Sequence, residues 1–101
     1  MMKRRKFFAN VPPAQYVCTS RILKTYFVQG RITGLVKIGR TYGTVQQRVK
    51  ELQTASPDTL QVLKWVKGDI EAACHFQFRQ HRSHNEWFRP HRDLMRFISL
   101  L

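Results

Sequence analysis

The chain of 101 residues carries 18 Lys and Arg against six Asp and Glu, a formal charge of +12, and 43% of it is hydrophobic. That length holds one domain with a single small core. No apolar run reaches the roughly 18–20 residues that span a bilayer, which excludes a membrane-spanning helix. The basic start is followed by Ala9-Asn10-Val11-Pro12-Pro13 rather than an apolar stretch, so no secretory signal is expected.

The charge is also lopsided. Glu51 is the first acidic residue, and eleven basic residues from Lys3 to Lys50 precede it. Self-repulsion at this charge opposes compaction, and a polyanion relieves it. Nucleic acid is the first candidate, because each phosphate neutralised by Lys or Arg releases condensed counterions. A ribosome-associated or merely soluble basic protein is the plainer alternative. An anionic membrane surface fits less well, since no segment pairs a basic face with a large apolar one. Cys18 and Cys74 stand far apart, so a reducing, intracellular (cytoplasmic) location is expected. With His75, His81, His84 and His91 they match no standard zinc spacing.

Along the chain, residues 1–21 read as a basic N-terminal arm: Lys3, Arg4, Arg5 and Lys6 form a cluster suited to phosphate or to solvent, and Pro12-Pro13 blocks regular pairing. Residues 22–101 form the domain proper. Thr25-Tyr26-Phe27-Val28 predicts a strand, Gly30 to Gly34 a turn, and Leu35-Val36-Lys37-Ile38 a second strand closing a hairpin. Thr44 and Gln47 form a capping box ahead of a helix striped by Val45, Val49 and Leu52. Leu60 to Val66 predicts a third strand. Asp69 is placed as the N-cap of a helix reaching about Arg82, with Ile70, Ala73 and Cys74 inward. Glu86-Trp87-Phe88 is a short aromatic segment, and Pro90 opens a last helix with Leu94, Phe97, Ile98 and Leu101 on one face. The order predicts an α+β fold, a small three-stranded antiparallel sheet flanked by helices.

Chemistry concentrates at a few positions. Gly39 permits close backbone approach as its strand ends, and Arg40, Thr41 and Tyr42 follow, all able to contact phosphate or simply to face water. Arg48 lies at the border of its helix's apolar stripe, where a guanidinium can be aimed into a cleft; pairing with Glu51 is the alternative. Glu71, His75 and Arg82 recur four and seven residues apart on one predicted helix face. A carboxylate such as Glu71 suits Mg²⁺, or else complements the helix dipole. Glu86 offers the same chemistry, although Trp87 and Phe88 beside it favour a capping or packing role.

The succession Thr25-Tyr26-Phe27-Val28, a turn, Val36-Lys37-Ile38-Gly39 and a helix bearing Arg48 resembles the GIY-YIG endonuclease superfamily. Glu71 with His75 and then Glu86-Trp87-Phe88 resemble a small branch common in phages and found in fungi. The resemblance spans about Lys24 to Phe88. It implies a metal-dependent endonuclease, with water attacking a phosphodiester in line, double-stranded DNA as the expected substrate, and Mg²⁺ or Mn²⁺ as cofactor. It implies Tyr26 near the attacking water, Arg48 on the phosphoryl charge and Glu71 on the metal, with Glu86 as a second metal candidate. Lys37 replaces the second motif's tyrosine and, with Arg40, clamps the phosphate, while His75 belongs to the same set. The first motif lacks its glycine, and Asn85 is the nearest match to the family's asparagine. A non-catalytic DNA- or RNA-binding module on the same fold is the other reading. A homodimer is one way for so small a domain to reach a longer site.

Overall fold

A computed structural model describes residues 22–101; the arm at 1–21, with Lys3, Arg4, Arg5, Lys6 and Cys18, lies outside the described residues. Strand β1 (Lys24–Gly30) and strand β2 (Val36–Thr41) form the expected hairpin, antiparallel with Tyr26 opposite Gly39 and Val28 opposite Lys37. Gly34 turns the chain at φ +77°, a backbone state that costs glycine little. Asp58 locks this turn from outside. Its carboxylate accepts the Ile32 N–H at 2.8 Å, the Thr33 N–H at 3.0 Å and the Thr33 hydroxyl at 2.8 Å. Gly30 makes room for it, since a Cβ there would stand 2.0 Å from Asp58 Oδ2.

Helix α1 (Val45–Thr54) starts where the capping residues place it, with Thr44 accepting the Gln47 N–H at 3.2 Å. Strand β3 (Leu60–Lys67) then pairs antiparallel with β1. Helix α2 spans Glu71–Gln77, a 3₁₀ turn Arg79–His81 follows, and two short strands come next, β4 (Arg82–His84) and β5 (Trp87–Phe88). Helix α3 (Arg92–Ser99) is capped by His91, whose Nδ1 accepts the Asp93 N–H at 3.1 Å.

Several expectations need correction. The sheet has five strands rather than three among the described residues, in the order β3-β1-β2-β5-β4. The added strands are too short for alternation to be read in their sequence. Strand β5 contributes only Val36–Phe88 and Lys37–Trp87 pairs to β2, and Asn85, at φ 50°, turns the chain between β4 and β5. The second helix stops at Gln77 instead of about Arg82, because Phe78 leaves helical geometry and sinks into the core. Arg82 therefore lies in β4 and not on the face of Glu71 and His75. Ala73 is exposed, and Cys74 and Phe78 take the inward positions. Ile70 rather than Asp69 occupies the N-cap position, yet Asp69 still accepts the Glu71 N–H at 3.3 Å. Pro90 precedes the cap of α3 instead of opening its first turn.

The sheet divides the core. Phe27, Val36, Ile38 and Phe88 pack against Cys74 and Phe78 and against Leu94 and Ile98 of α3, with Phe97 edge-on to Phe27 and Phe78. On the opposite face a smaller cluster joins Tyr26 and Val28 to Val45, Val49 and Leu52 of α1. No helix among the described residues is long and apolar enough to cross a membrane.

Candidate active site

Strand alternation sorts the β2 side chains between these faces. Lys37 and Gly39 turn toward α1, whereas Ile38 and Arg40 turn toward α2. Gly39 is required where it stands. The Tyr26 ring crosses directly over it, and a Cβ at position 39 would meet the phenol oxygen at 2.5 Å. Tyr26 is thereby buried, 1% exposed, with its hydroxyl directed toward Arg48. One turn into α1, Arg48 pairs with Glu51 at 3.3 Å and lies close to that hydroxyl. Its pKa is raised, first by the Tyr26 hydroxyl, against burial, and then by Glu51. The pairing with Glu51, the alternative that the sequence offered, is thus present, and the Arg48 side chain stays partly exposed.

The outer edge of β2 is where the two faces meet. Because β5 covers only Val36 and Lys37 as paired strand, the backbone of Ile38 is met by other partners. Its N–H donates to the Glu86 carbonyl at 3.0 Å. Its carbonyl accepts from His75 Nε2 at 2.9 Å, so that ring nitrogen carries the proton. The His75 ring also rests edge-on against Phe88, 5.0 Å between centroids.

Around this edge run the charges. Lys37, buried but for its tip, donates to Glu86 Oε1 at 2.5 Å, with the Trp87 ring 5.9 Å away. Glu71, one helical turn before His75, places Oε1 3.2 Å from Arg40 Nε and Oε2 3.6 Å from His75 Nε2. Arg40 also holds Asp69 at 2.6 Å, and its pKa is raised by the hydrogen bond and charge of Asp69, then by Glu71. The Glu71 and Glu86 carboxyls lie close enough to affect each other's protonation, and the two are pushed in opposite directions. Burial and the Glu86 charge raise Glu71. Burial also acts to raise Glu86, but the hydrogen bond and charge of Lys37 outweigh it and hold Glu86 below the usual carboxylate range.

Tyr26, Lys37 and Arg48 thus converge on one face, Arg40, Glu71 and His75 on the other, and Glu86 joins them around the strand edge. Glu86 is the largest departure from its sequence reading, in which capping or packing came first. Its role arises from the β4–β5 hairpin, which local sequence did not reveal. Thr41 stays local, accepting the Gly43 N–H at 3.2 Å, and Tyr42 projects outward, 60% exposed, above a loop whose carbonyls Lys24 Nζ holds. Asn85 is exposed at its turn and points to no partner among these residues. Elsewhere, His81, His91 and Asp93 bring potential metal-ligating atoms within 4.8 Å of one another, a cluster that spacing did not foretell. The two imidazoles stack nearly parallel at 3.9 Å, so their in-plane lone pairs run side by side instead of converging.

Comparison with known proteins places these residues in context. No curated protein and no solved structure matches the chain. One family does match, over residues 15–100, and it is associated with nuclease-like proteins. That span includes every residue of the site just described, and the chain belongs to the T5orf172 domain family.

Proposed function

We propose that the domain is a Mg²⁺-dependent endonuclease of GIY-YIG type that cleaves phosphodiester bonds in DNA by in-line attack of water. The observation that carries this reading is the grouping of seven side chains around β2: Tyr26, Lys37 and Arg48 on its α1 face, Arg40, Glu71 and His75 on its α2 face, and Glu86 at its outer edge. Purely structural ion pairs need no buried phenol crossing a glycine beneath an arginine.

The donor set suits the metal. Glu71 and Glu86 offer hard carboxylate oxygens close together, and Mg²⁺ is commonly held by one or two such groups together with water and phosphate. Glu71 would be the main ligand and Glu86 the second. When bound, the ion supplies Lewis-acid stabilisation of charge on the leaving oxygen. The chain's own residues do the rest. Arg48 is preorganised by the Tyr26 hydroxyl and Glu51, and its remaining donors face charge that develops on the phosphoryl oxygens. Tyr26, fixed by Gly39 and Arg48, orients the attacking water through its hydroxyl. Arg40 balances Glu71 from the α2 side and reaches a phosphate from its exposed position. Lys37 fixes Glu86, and His75, with its Nε2 proton held by Ile38, keeps β2 in register beneath Glu71. The basic balance of the chain adds sequence-independent attraction to the phosphate backbone, and the cluster Lys3, Arg4, Arg5 and Lys6 with Arg40, Thr41 and Tyr42 extends that grip.

A second reading, a binding module that does not cut, is favoured by one observation: the Lys37 amine is taken by Glu86 rather than held open. A supercoiled-plasmid assay with Mg²⁺ or Mn²⁺ separates the two. An endonuclease nicks or linearises the plasmid, and Glu71→Ala, Arg48→Ala and EDTA each abolish this. A binder only retards the plasmid, in a salt-sensitive way that EDTA leaves unchanged.

A further inference from the structure

The face of the sheet that holds Tyr26 is only partly roofed. Helix α1 covers Val28 and Leu60 through Val45, Val49 and Leu52. One register row further toward the open end lie Trp65, Tyr26 and Gly39 side by side, and beyond them Lys67, Lys24 and Thr41. Directly opposed residues of antiparallel strands share a face, so Trp65 is the immediate neighbour of Tyr26 on the α1 side. It stands on the edge strand, 41% exposed, with exposed Lys67 next on its own face. Tyr42 lies across the same end of the sheet, on the loop tied down by Lys24. The core beneath does not use the indole: neither buried cluster includes it.

We infer that Trp65 is a nucleobase-stacking platform beside the cleavage site, and that the substrate carries an unpaired base next to the scissile phosphate. The inference rests on the endonuclease reading and narrows it. An exposed indole flanked by lysines, within a chain of formal charge +12, is complementary to one kind of partner: a flat aromatic base attached to an anionic backbone. Bases inside a duplex are stacked on both sides and offer no free face. A single strand, a mismatch, a loop or a flipped nucleotide does. Phosphate gripped by Arg48 and a base laid on Trp65 would fix the backbone between them over the Tyr26 hydroxyl.

The test uses intrinsic fluorescence. The chain has two tryptophans, so Trp87→Phe leaves Trp65 as the reporter. With EDTA present to keep substrate intact, this protein is titrated with a paired hairpin, the same hairpin carrying one unpaired base, and the same hairpin with an abasic residue at that place. The expected result is quenching by the unpaired base, with affinity roughly 5- to 150-fold above that for the abasic hairpin, the span that one stacked base provides. In the natural background, Trp65→Ala should erase this preference, and Trp65→Phe should restore part of it. Equal affinities with unquenched Trp65 emission would overturn the platform and leave the nucleic-acid reading standing. Failure to bind any of the three would overturn both.

Discussion

The two faces of the sheet are built to different ends. Toward α2 and α3, Phe27 of β1 and Val36 and Ile38 of β2 meet other apolar side chains. The fully buried hydroxyl on that face, Thr25, only ties backbone, donating to the Gly68 carbonyl and accepting the Ile70 N–H. Toward α1, the same two strands bury a phenol and an ammonium group, Tyr26 and Lys37, over a glycine. Buried polar groups of this kind stabilise a fold only when each is partnered, and here the partners are the site: Arg48 for Tyr26 and Glu86 for Lys37. One face supplies cohesion, and the other buries polar groups that the proposed function uses. Stability and activity should therefore be separable by mutation, face by face.

The largest effect expected is on the cohesive face. Phe88→Ala removes a fully buried ring that also supports His75, and should lower stability by about 3–5 kcal/mol, much of what a domain of this size possesses. A urea or thermal melt measures it. On the opposite face, Arg48→Ala should reduce cleavage by about 10²- to 10³-fold. Its exposed pairing with Glu51 is worth only ~0.5 kcal/mol, but the buried Tyr26 hydroxyl loses its partner, so stability should fall by about 1–3 kcal/mol, less than for Phe88→Ala. A fall for Arg48→Ala as large as that for Phe88→Ala would collapse the distinction between the faces.

Gly39→Ala probes the junction. The added methyl collides with the Tyr26 phenol, and such overpacking costs about 1–3 kcal/mol. Because Tyr26 must shift, cleavage should fall by more than the loss of folded protein accounts for, when both are measured on one preparation. Retention of full activity would show that Tyr26 does not act through its position.

The remaining two predictions concern pH. The Asp58 carboxyl is held low, chiefly by the Thr33 N–H, against burial, and then by Ile32 and the Thr33 hydroxyl. Its unfolded state binds protons more readily than its native state, so the stability it contributes is present above its ordinary value of 3.8 and lost as pH falls through the lower native value. Asp58→Ala should be destabilised most at neutral pH, and the gap from the natural protein should narrow in acid. Glu71 has the opposite sign. Its native carboxyl is raised above 4.5, so the folded protein binds the proton more tightly and loses stability as pH rises through that window. Glu71→Gln should melt higher than the natural protein at pH 7 and lose that advantage below pH 4.5. Added Mg²⁺ should raise the melting temperature of the natural protein and leave Glu71→Gln unchanged.

Much of the framework is legible in the residues because it depends on near neighbours. Thr44 caps α1 through a group three residues away, and Val45, Val49 and Leu52 repeat at the helical period. Glycines and β-branched residues mark the β1–β2 hairpin, and the spacing of Arg48 and Glu51 on α1 foretells their pairing. The errors fall where local pattern was overruled by distant packing. Phe78 ends α2 to fill a core built from both later elements, and β4 and β5 become strands only because β2 offers them an edge.

The same division holds for the site. Composition by itself determined the strong positive charge, which made a polyanion the first partner to expect, and strand alternation determined that Lys37 and Gly39 share a face. Only the tertiary structure decided that Glu86 lies close to Glu71, that Lys37 is held by Glu86, and that Trp65 lies beside Tyr26. These contacts join residues separated by 15 to 49 positions, and no local preference encodes such a distance. They are set by the register of the sheet, which the buried face fixes by requiring Phe27, Val36 and Ile38 to point inward together.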